Sequence, residues 1–120
     1  MRTERVLRLI RGAAPAVCEV DLGPEDAIPL GQGRAFLVRG SVIAVFRQRD
    51  GCLFAIDGRC PHRGGPLAEG IVGDGKVICP LHGWKIDLAS GRCLGESAAV
   101  RVHGVRRAAG RIRLMLPEER

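Results

Sequence analysis

The sequence predicts an all-β domain, an antiparallel sandwich or partly open barrel with a small metal-binding subdomain inserted into it. Three observations carry that expectation. From Ala16 onward the apolar residues fall into short runs punctuated by Gly, Pro, Asp-Gly and Ser-Gly. No segment there sustains a helical period. Two turn-rich loops, Cys60-Pro61-His62-Arg63-Gly64-Gly65 and Cys79-Pro80-Leu81-His82-Gly83-Trp84, each hold one Cys and one His. At 120 residues the chain has room for one domain and one modest core.

The elements follow in order. Val17, Cys18 and Val20 start a first strand, which Gly23-Pro24 ends. Ala35 to Val38 forms a second after Gly31 and Gly33, and Arg39-Gly40 turns it into Val42 to Arg47. The run Val42-Ile43-Ala44-Val45-Phe46 is nearly continuous in apolar residues, as a central strand buried on both faces requires. Asp50-Gly51 is a hairpin dipeptide, and Leu53 to Ile56 returns from it to deliver the chain to Cys60. Between the two loops, Pro66 to Gly70 and Gly73-Asp74-Gly75 read as turns, and Val77-Ile78 as a short strand entering Cys79. Lys85 to Leu88, the turn Ala89-Ser90-Gly91 and Arg92-Cys93-Leu94 read as a hairpin. Val100, Val102 and Val105 then mark a strand that Gly110 turns into Arg111 to Leu116. In this last strand Ile112, Leu114 and Leu116 share one face, and Arg111 and Arg113 the other. The domain accordingly runs over residues 16–117, with the metal-binding part at about 58–86.

Residues 1–15 read as a basic tail. Arg2, Arg5, Arg8 and Arg11 recur every third residue, as in a solvated tail or a short amphipathic docking arm, and Ala13-Ala14-Pro15 links it to the domain. The arginines interrupt every apolar run, so no secretory signal is expected, and no apolar stretch is long enough to cross a bilayer. The net charge of +6 raises nucleic acid as a partner, but there is no tyrosine and little other aromatic surface for stacking bases. Neither nucleic acid nor membrane is therefore expected as a partner; the charge suits solubility and steering toward an acidic protein. Beyond the two loop cysteines, Cys18, Cys52 and Cys93 are scattered singly, which suits a reducing, cytoplasmic setting.

A thiolate and a neutral imidazole are common metal ligands, so Cys60, His62, Cys79 and His82 can complete a four-ligand site. Zinc fingers group Cys with Cys and His with His, whereas here each loop offers one of each. A [2Fe–2S] centre with two Cys on one iron and two His on the other uses this order. A structural zinc site from the same residues remains the alternative. Pro61 and Pro80 pre-set the turns, and the glycines let backbone N–H groups come close to sulfur.

The pattern Cys-x-His, spacer, Cys-x-x-His resembles the signature of the Rieske family. The resemblance implies a Rieske-type β fold and a [2Fe–2S] cluster, with Cys60 and Cys79 on the buried iron and His62 and His82 on the outer one. It also places the two histidines at the protein tip. High-potential respiratory members have a serine and a tyrosine at the positions of Trp84 and Ile86, and a disulfide whose cysteines fall at Gly65 and Leu81. This chain has neither feature, which implies a low potential, on the order of −150 mV or somewhat above. Leu67, Leu81 and Trp84 would shield the cluster, although Trp84 also reads as plain core. Arg63, Lys85 and Arg92, near the loops, could steer an acidic partner or be ordinary solvated charges.

No second active site is apparent. Once the cluster takes its histidines only His103 remains, too few for a mononuclear iron triad, and there is no Rossmann glycine fingerprint. The chain is thus expected to be a component of a larger redox system. The stretches Gly33 to Val38, Ala44 to Arg47, Gly70 to Asp74 and Asp87 to Leu94, with the opening Val17-Cys18, resemble the small subunit of assimilatory NAD(P)H-dependent nitrite reductase. Ile86 departs from it, an aromatic residue being expected there. That resemblance implies a partner subunit carrying flavin, an iron–sulfur cluster and sirohaem, with electrons passing from a nicotinamide to nitrite. The alternatives are a Rieske ferredoxin serving an aromatic-ring dioxygenase and, in another class, a zinc-stabilised interaction module with no redox role.

Overall fold

A computed structural model describes residues 17–81 and 83–117. The basic tail, its linker and His82 lie outside the described residues. Nine strands follow one another: β1 (Val17–Pro24), β2 (Gln32–Val38), β3 (Ser41–Arg47), β4 (Leu53–Asp57), β5 (Ile71–Gly73), β6 (Lys76–Ile78), β7 (Lys85–Asp87), β8 (Val102–Ala108) and β9 (Arg111–Pro117). Single 3₁₀ turns at Glu25–Ala27 and Leu67–Glu69 are the helical segments among the described residues. Six strands form an antiparallel sheet in the order β1-β9-β8-β4-β3-β2, curled into a half-barrel, and β5-β6-β7 form a separate small sheet. The expected all-β architecture is present.

Strand β3 organises both layers. Its Ile43, Ala44, Val45 and Phe46 are all buried. Because side chains alternate across a strand, they divide between two cores. Ile43 and Val45 join Val38, Ala55, Ile112, Leu114 and Leu116 inside the half-barrel. Ala44 and Phe46 point the other way, with Ile56, Leu67, Val77, Cys60, Cys79 and Ile86, and so join the big sheet to the small one. In β9 the buried residues are Ile112, Leu114 and Leu116, as its alternation requires.

Several element bounds differ from the sequence reading. Strand β2 begins at Gln32 because it pairs with β3 along its whole length, and its Gly33 leaves room for the Phe46 ring. A Cβ on Gly33 would stand 2.5 Å from that ring. Strand β5 is not visible in the apolar pattern because it is three residues long, with Ile71 exposed. It pairs with β6 because Gly70, just before it, lets the chain approach Ile78, whose carbonyl a Cβ would strike at 2.3 Å. The hairpin read at Arg92-Cys93-Leu94 reduces to isolated bridges, Ile86↔Cys93 and Arg92↔Ala99. Ile86, where an aromatic was expected, is fully buried opposite Val77.

Candidate metal centre

Each loop hangs between a strand end and a sharp reversal. Strand β4 delivers the chain through Gly58 to Cys60, and β6 delivers it to Cys79. In the first loop the Cys60 N–H donates to the Gly65 carbonyl at 2.8 Å, and the Gly64 N–H donates to the Cys60 carbonyl at 2.8 Å. In the second, the Cys79 N–H donates to the Trp84 carbonyl at 2.8 Å, and the Gly83 N–H to the Cys79 carbonyl at 3.1 Å. The two turns are thus the same hydrogen-bonded reversal built twice. Gly64 (φ 70°) and Gly83 (φ 75°) hold the left-handed place in each. In the first loop Arg63 is also left-handed, at φ 75°, a conformation that costs an L-residue energy and persists where surroundings impose it.

The reversals bring the cysteines together. Cys60 and Cys79 are each 2% exposed and belong to the same core cluster between the two sheets. Burial pushes the Cys60 thiol up from its usual range, the neighbouring Cys79 adds to this, and the backbone N–H of His62 acts in the opposite direction. An uncompensated thiolate is therefore disfavoured here, and deprotonation belongs with the arrival of a cation. Gly65 supplies the space: a Cβ there would stand 2.9 Å from the Cys79 sulfur and 3.1 Å from Leu81. The donor chemistry and this glycine-lined approach to sulfur fit an iron–sulfur group. Among the described residues no three of His, Cys, Asp or Glu converge on one point. A two-iron group does not require such convergence, since its thiolates and imidazoles bind at opposite ends.

His62 lies outward of the cysteines, its ring stacked on Trp84 from the other loop, with centroids 4.5 Å apart and planes at 9°. The sequence did not suggest this contact, because nothing in residue spacing shows that two turns twenty-odd positions apart will face each other. Of the residues read as shielding, Leu67 is fully buried and Trp84 partly so, while Leu81 is 49% exposed and lies over Gly65. Arg63, Lys85 and Arg92 are all exposed. Cys93, read as a scattered cysteine, is buried in the same core as Cys60 and Cys79, and burial, with the Glu96 charge, pushes its thiol up. Cys18 and Cys52 are free and lie elsewhere. His103 stands apart from the loops, 2.9 Å from the Asp57 carboxylate in a contact that ties β8 to β4. No helix among the described residues is long and apolar enough to cross a membrane.

Known proteins share this arrangement. A structure from Mycobacterium tuberculosis, assigned as the small subunit of an NADH-dependent nitrite reductase, superposes with a TM-score of 0.81 at 28% identity, over 87% of this chain and 99% of that one. The ferredoxin of carbazole 1,9a-dioxygenase from Nocardioides aromaticivorans IC177 gives 0.73 at 28% identity, over 83% and 98%. The 4β-methylsterol monooxygenase of Methylococcus capsulatus is 50% identical over 54 residues, which is 45% of this chain. Only 14% of that monooxygenase is matched, so the chain spans a small fraction of the length of such curated relatives. The description of the Rieske [2Fe–2S] domain matches residues 18–106. With the fold, the paired loops and a match over most of its length, the chain belongs to the Rieske [2Fe–2S] domain family and is an electron-transfer domain with a Rieske-type cluster.

Proposed function

We propose that the chain is the small, electron-transferring subunit of an NAD(P)H-dependent nitrite reductase, working in the cytoplasm with a large subunit that carries flavin, an iron–sulfur cluster and sirohaem. The observation that carries this reading is the closeness of the superposition: the nitrite reductase small subunit fits at a TM-score of 0.81 over 99% of its length, against 0.73 for the dioxygenase ferredoxin. Curated oxygenase relatives are matched over a single small part.

Cys60 and Cys79 hold one iron as buried thiolates, and His62 and His82 hold the other through neutral imidazoles. When bound, the cluster supplies one electron at a time at a potential above that of all-Cys plant-type clusters. The chain's own residues set the conditions. The apolar core around Cys60 and Cys79 excludes water, and the two hydrogen-bonded turns hold the sulfurs in place before loading. The exposed Arg63, Lys85 and Arg92 steer an acidic partner toward the histidine end. The five free cysteines suit a reducing compartment.

A second reading, a ferredoxin component of an aromatic-ring dioxygenase, is favoured by the carbazole dioxygenase ferredoxin, equally identical at 28% and covered over 98%. Two measurements decide. Electron paramagnetic resonance of the dithionite-reduced, anaerobically purified protein, with iron and zinc counted on the same sample, is expected to show a Rieske spectrum with about two irons per chain. Zinc without that spectrum would replace both readings with a zinc-stabilised interaction module. Addition of the chain to an isolated sirohaem-containing large subunit is expected to raise NADH-dependent nitrite consumption. No stimulation there, with reduction of a ring-hydroxylating oxygenase by the loaded protein, would transfer the assignment to the ferredoxin class.

A further inference from the structure

We propose that Trp84 is a positioning residue: its indole clasps the two ligand loops together by holding the His62 imidazole flat against its face. The inference rests on His62 being an iron ligand, and goes beyond that role by naming what fixes the ring.

The observations are geometric. The two rings come from different loops, lie 4.5 Å apart and are within 9° of parallel, an offset stack of the kind aromatic pairs favour. The indole is anchored in the core. The Trp84 carbonyl closes the second loop by accepting from the Cys79 N–H at 2.8 Å, and its side chain packs on the core that holds Cys60 and Cys79. His62 sits one residue before left-handed Arg63, on a loop whose outer part is exposed. All five cysteines are free, so no disulfide ties one loop to the other. Gly65, at the position in the first loop that matches Trp84 in the second, has no side chain with which to reciprocate. The stack therefore supplies a tie between the loops that the first loop cannot make for itself.

An imidazole pinned by one face keeps its ring plane fixed relative to the second loop. Rotation about its Cβ–Cγ bond would give up the stacked area, so the ring is preset in one plane before metal arrives. Supporting contacts of this kind govern ligand orientation and metal retention. A purely space-filling Trp84 would need only apolar volume and no π face. This difference is what the test exploits.

The full chain is compared with Trp84→Phe, which keeps a ring, and Trp84→Leu, which keeps apolar volume without one. In the metal-free proteins, proton NMR reads the ring current on the His62 carbon-bound protons, assigned with His62→Gln. They are expected to be shifted upfield in the parent chain, partly so in Trp84→Phe, and to lose the shift in Trp84→Leu. In the loaded proteins, Trp84→Leu is expected to lose iron to a chelator about tenfold faster and to change the g-anisotropy of the reduced spectrum, while Trp84→Phe stays near the parent. Unshifted His62 protons in the parent chain, or a Trp84→Leu protein with parental iron retention and spectrum, would overturn the clasp. So would equal loss in the two variants. If the protein binds zinc and gives no Rieske spectrum, the cluster assignment fails, yet the NMR comparison still decides whether the clasp exists. Circular dichroism confirms that each variant keeps the β scaffold.

Discussion

The loop at Cys60 and the loop at Cys79 close on the same two backbone hydrogen bonds, and they differ in what they place on that shared frame. Where the first loop has Gly65, the second has Trp84; the carbonyl of each accepts from the cysteine that opens its loop. One site is emptied of side chain so that the Cys79 sulfur can come close, and the other is filled by the largest side chain available. The histidines differ as well. His62 is two positions after its cysteine and His82 three, so His62 matches Leu81 and His82 matches Arg63 in register. The backbone is duplicated, and the division of labour lies in the side chains. A symmetric frame presents the cysteines alike and leaves the surroundings of the histidines free to diverge.

The largest effects should come from the part that is alike. Cys60→Ala and Cys79→Ala are each expected to abolish the reduced Rieske spectrum completely, and to equal extents. Both cysteines lie in the core between the sheets and not in the half-barrel core of Ile43, Val45, Ile112 and Leu114. The β scaffold should therefore persist, destabilised by about 1 kcal/mol as a small buried group is lost. Circular dichroism and thermal melts check the scaffold, and electron paramagnetic resonance checks the cluster. A Rieske signal surviving in either variant would mean that the loops are not equivalent.

An intermediate effect should separate the two glycines of the first loop. At Gly65 an added Cβ meets the Cys79 sulfur at 2.9 Å and Leu81 at 3.1 Å. Gly65→Ala is thus expected to cost about 1–3 kcal/mol through overpacking and to impair cluster loading. At Gly64 nothing lies within 4 Å of such a Cβ, but φ is +70°. Gly64→Ala is expected to cost about 1 kcal/mol through backbone strain alone and to load normally. Iron content after reconstitution and the melting temperature of the metal-free protein distinguish the cases. Equal loading of the two variants would mean that the close approach of Gly65 to the Cys79 sulfur does not matter for the cluster.

How much of this was legible beforehand follows from what sequence encodes locally. Strand β9 could be read from Ile112, Leu114 and Leu116, and β3 from its unbroken apolar run, because burial on one face or two leaves a period in the chain. The paired Cys/His turns were legible because metal chemistry restricts the residue types and turns restrict the spacing. Strand β5 was not, since a three-residue strand with Ile71 exposed carries no period and exists because Gly70 lets two backbones meet. Nor was the His62–Trp84 stack, or the burial of Cys93 beside the loop cysteines, since both arise where separate segments pack. Leu81 misled for a related reason: its type suggested a shield, whereas its place on an outer turn leaves half of it exposed.

The smallest expected effect lies in what supports the second loop. The second loop is flanked by β6 and β7, and β7 ends in a turn tied by Asp87, whose carboxylate accepts from the Ser90 hydroxyl at 2.8 Å and the Ser90 N–H at 2.9 Å. The Ser90 hydroxyl first, and then its N–H, hold the Asp87 carboxyl below its usual 3.8. A carboxyl depressed in the folded state contributes stability that is fully present above its unfolded value and is lost as pH falls through the lower folded one. Ser90→Ala removes the leading cause. Because the turn is exposed, it should cost only about 0.5 kcal/mol at neutral pH. The melting-temperature difference between parent and variant should shrink as the pH falls through the depressed Asp87 range, down to what the Ser90 hydrogen bonds contribute to the neutral carboxyl. A difference that stays constant with pH would locate the contribution of Ser90 in the neutral turn.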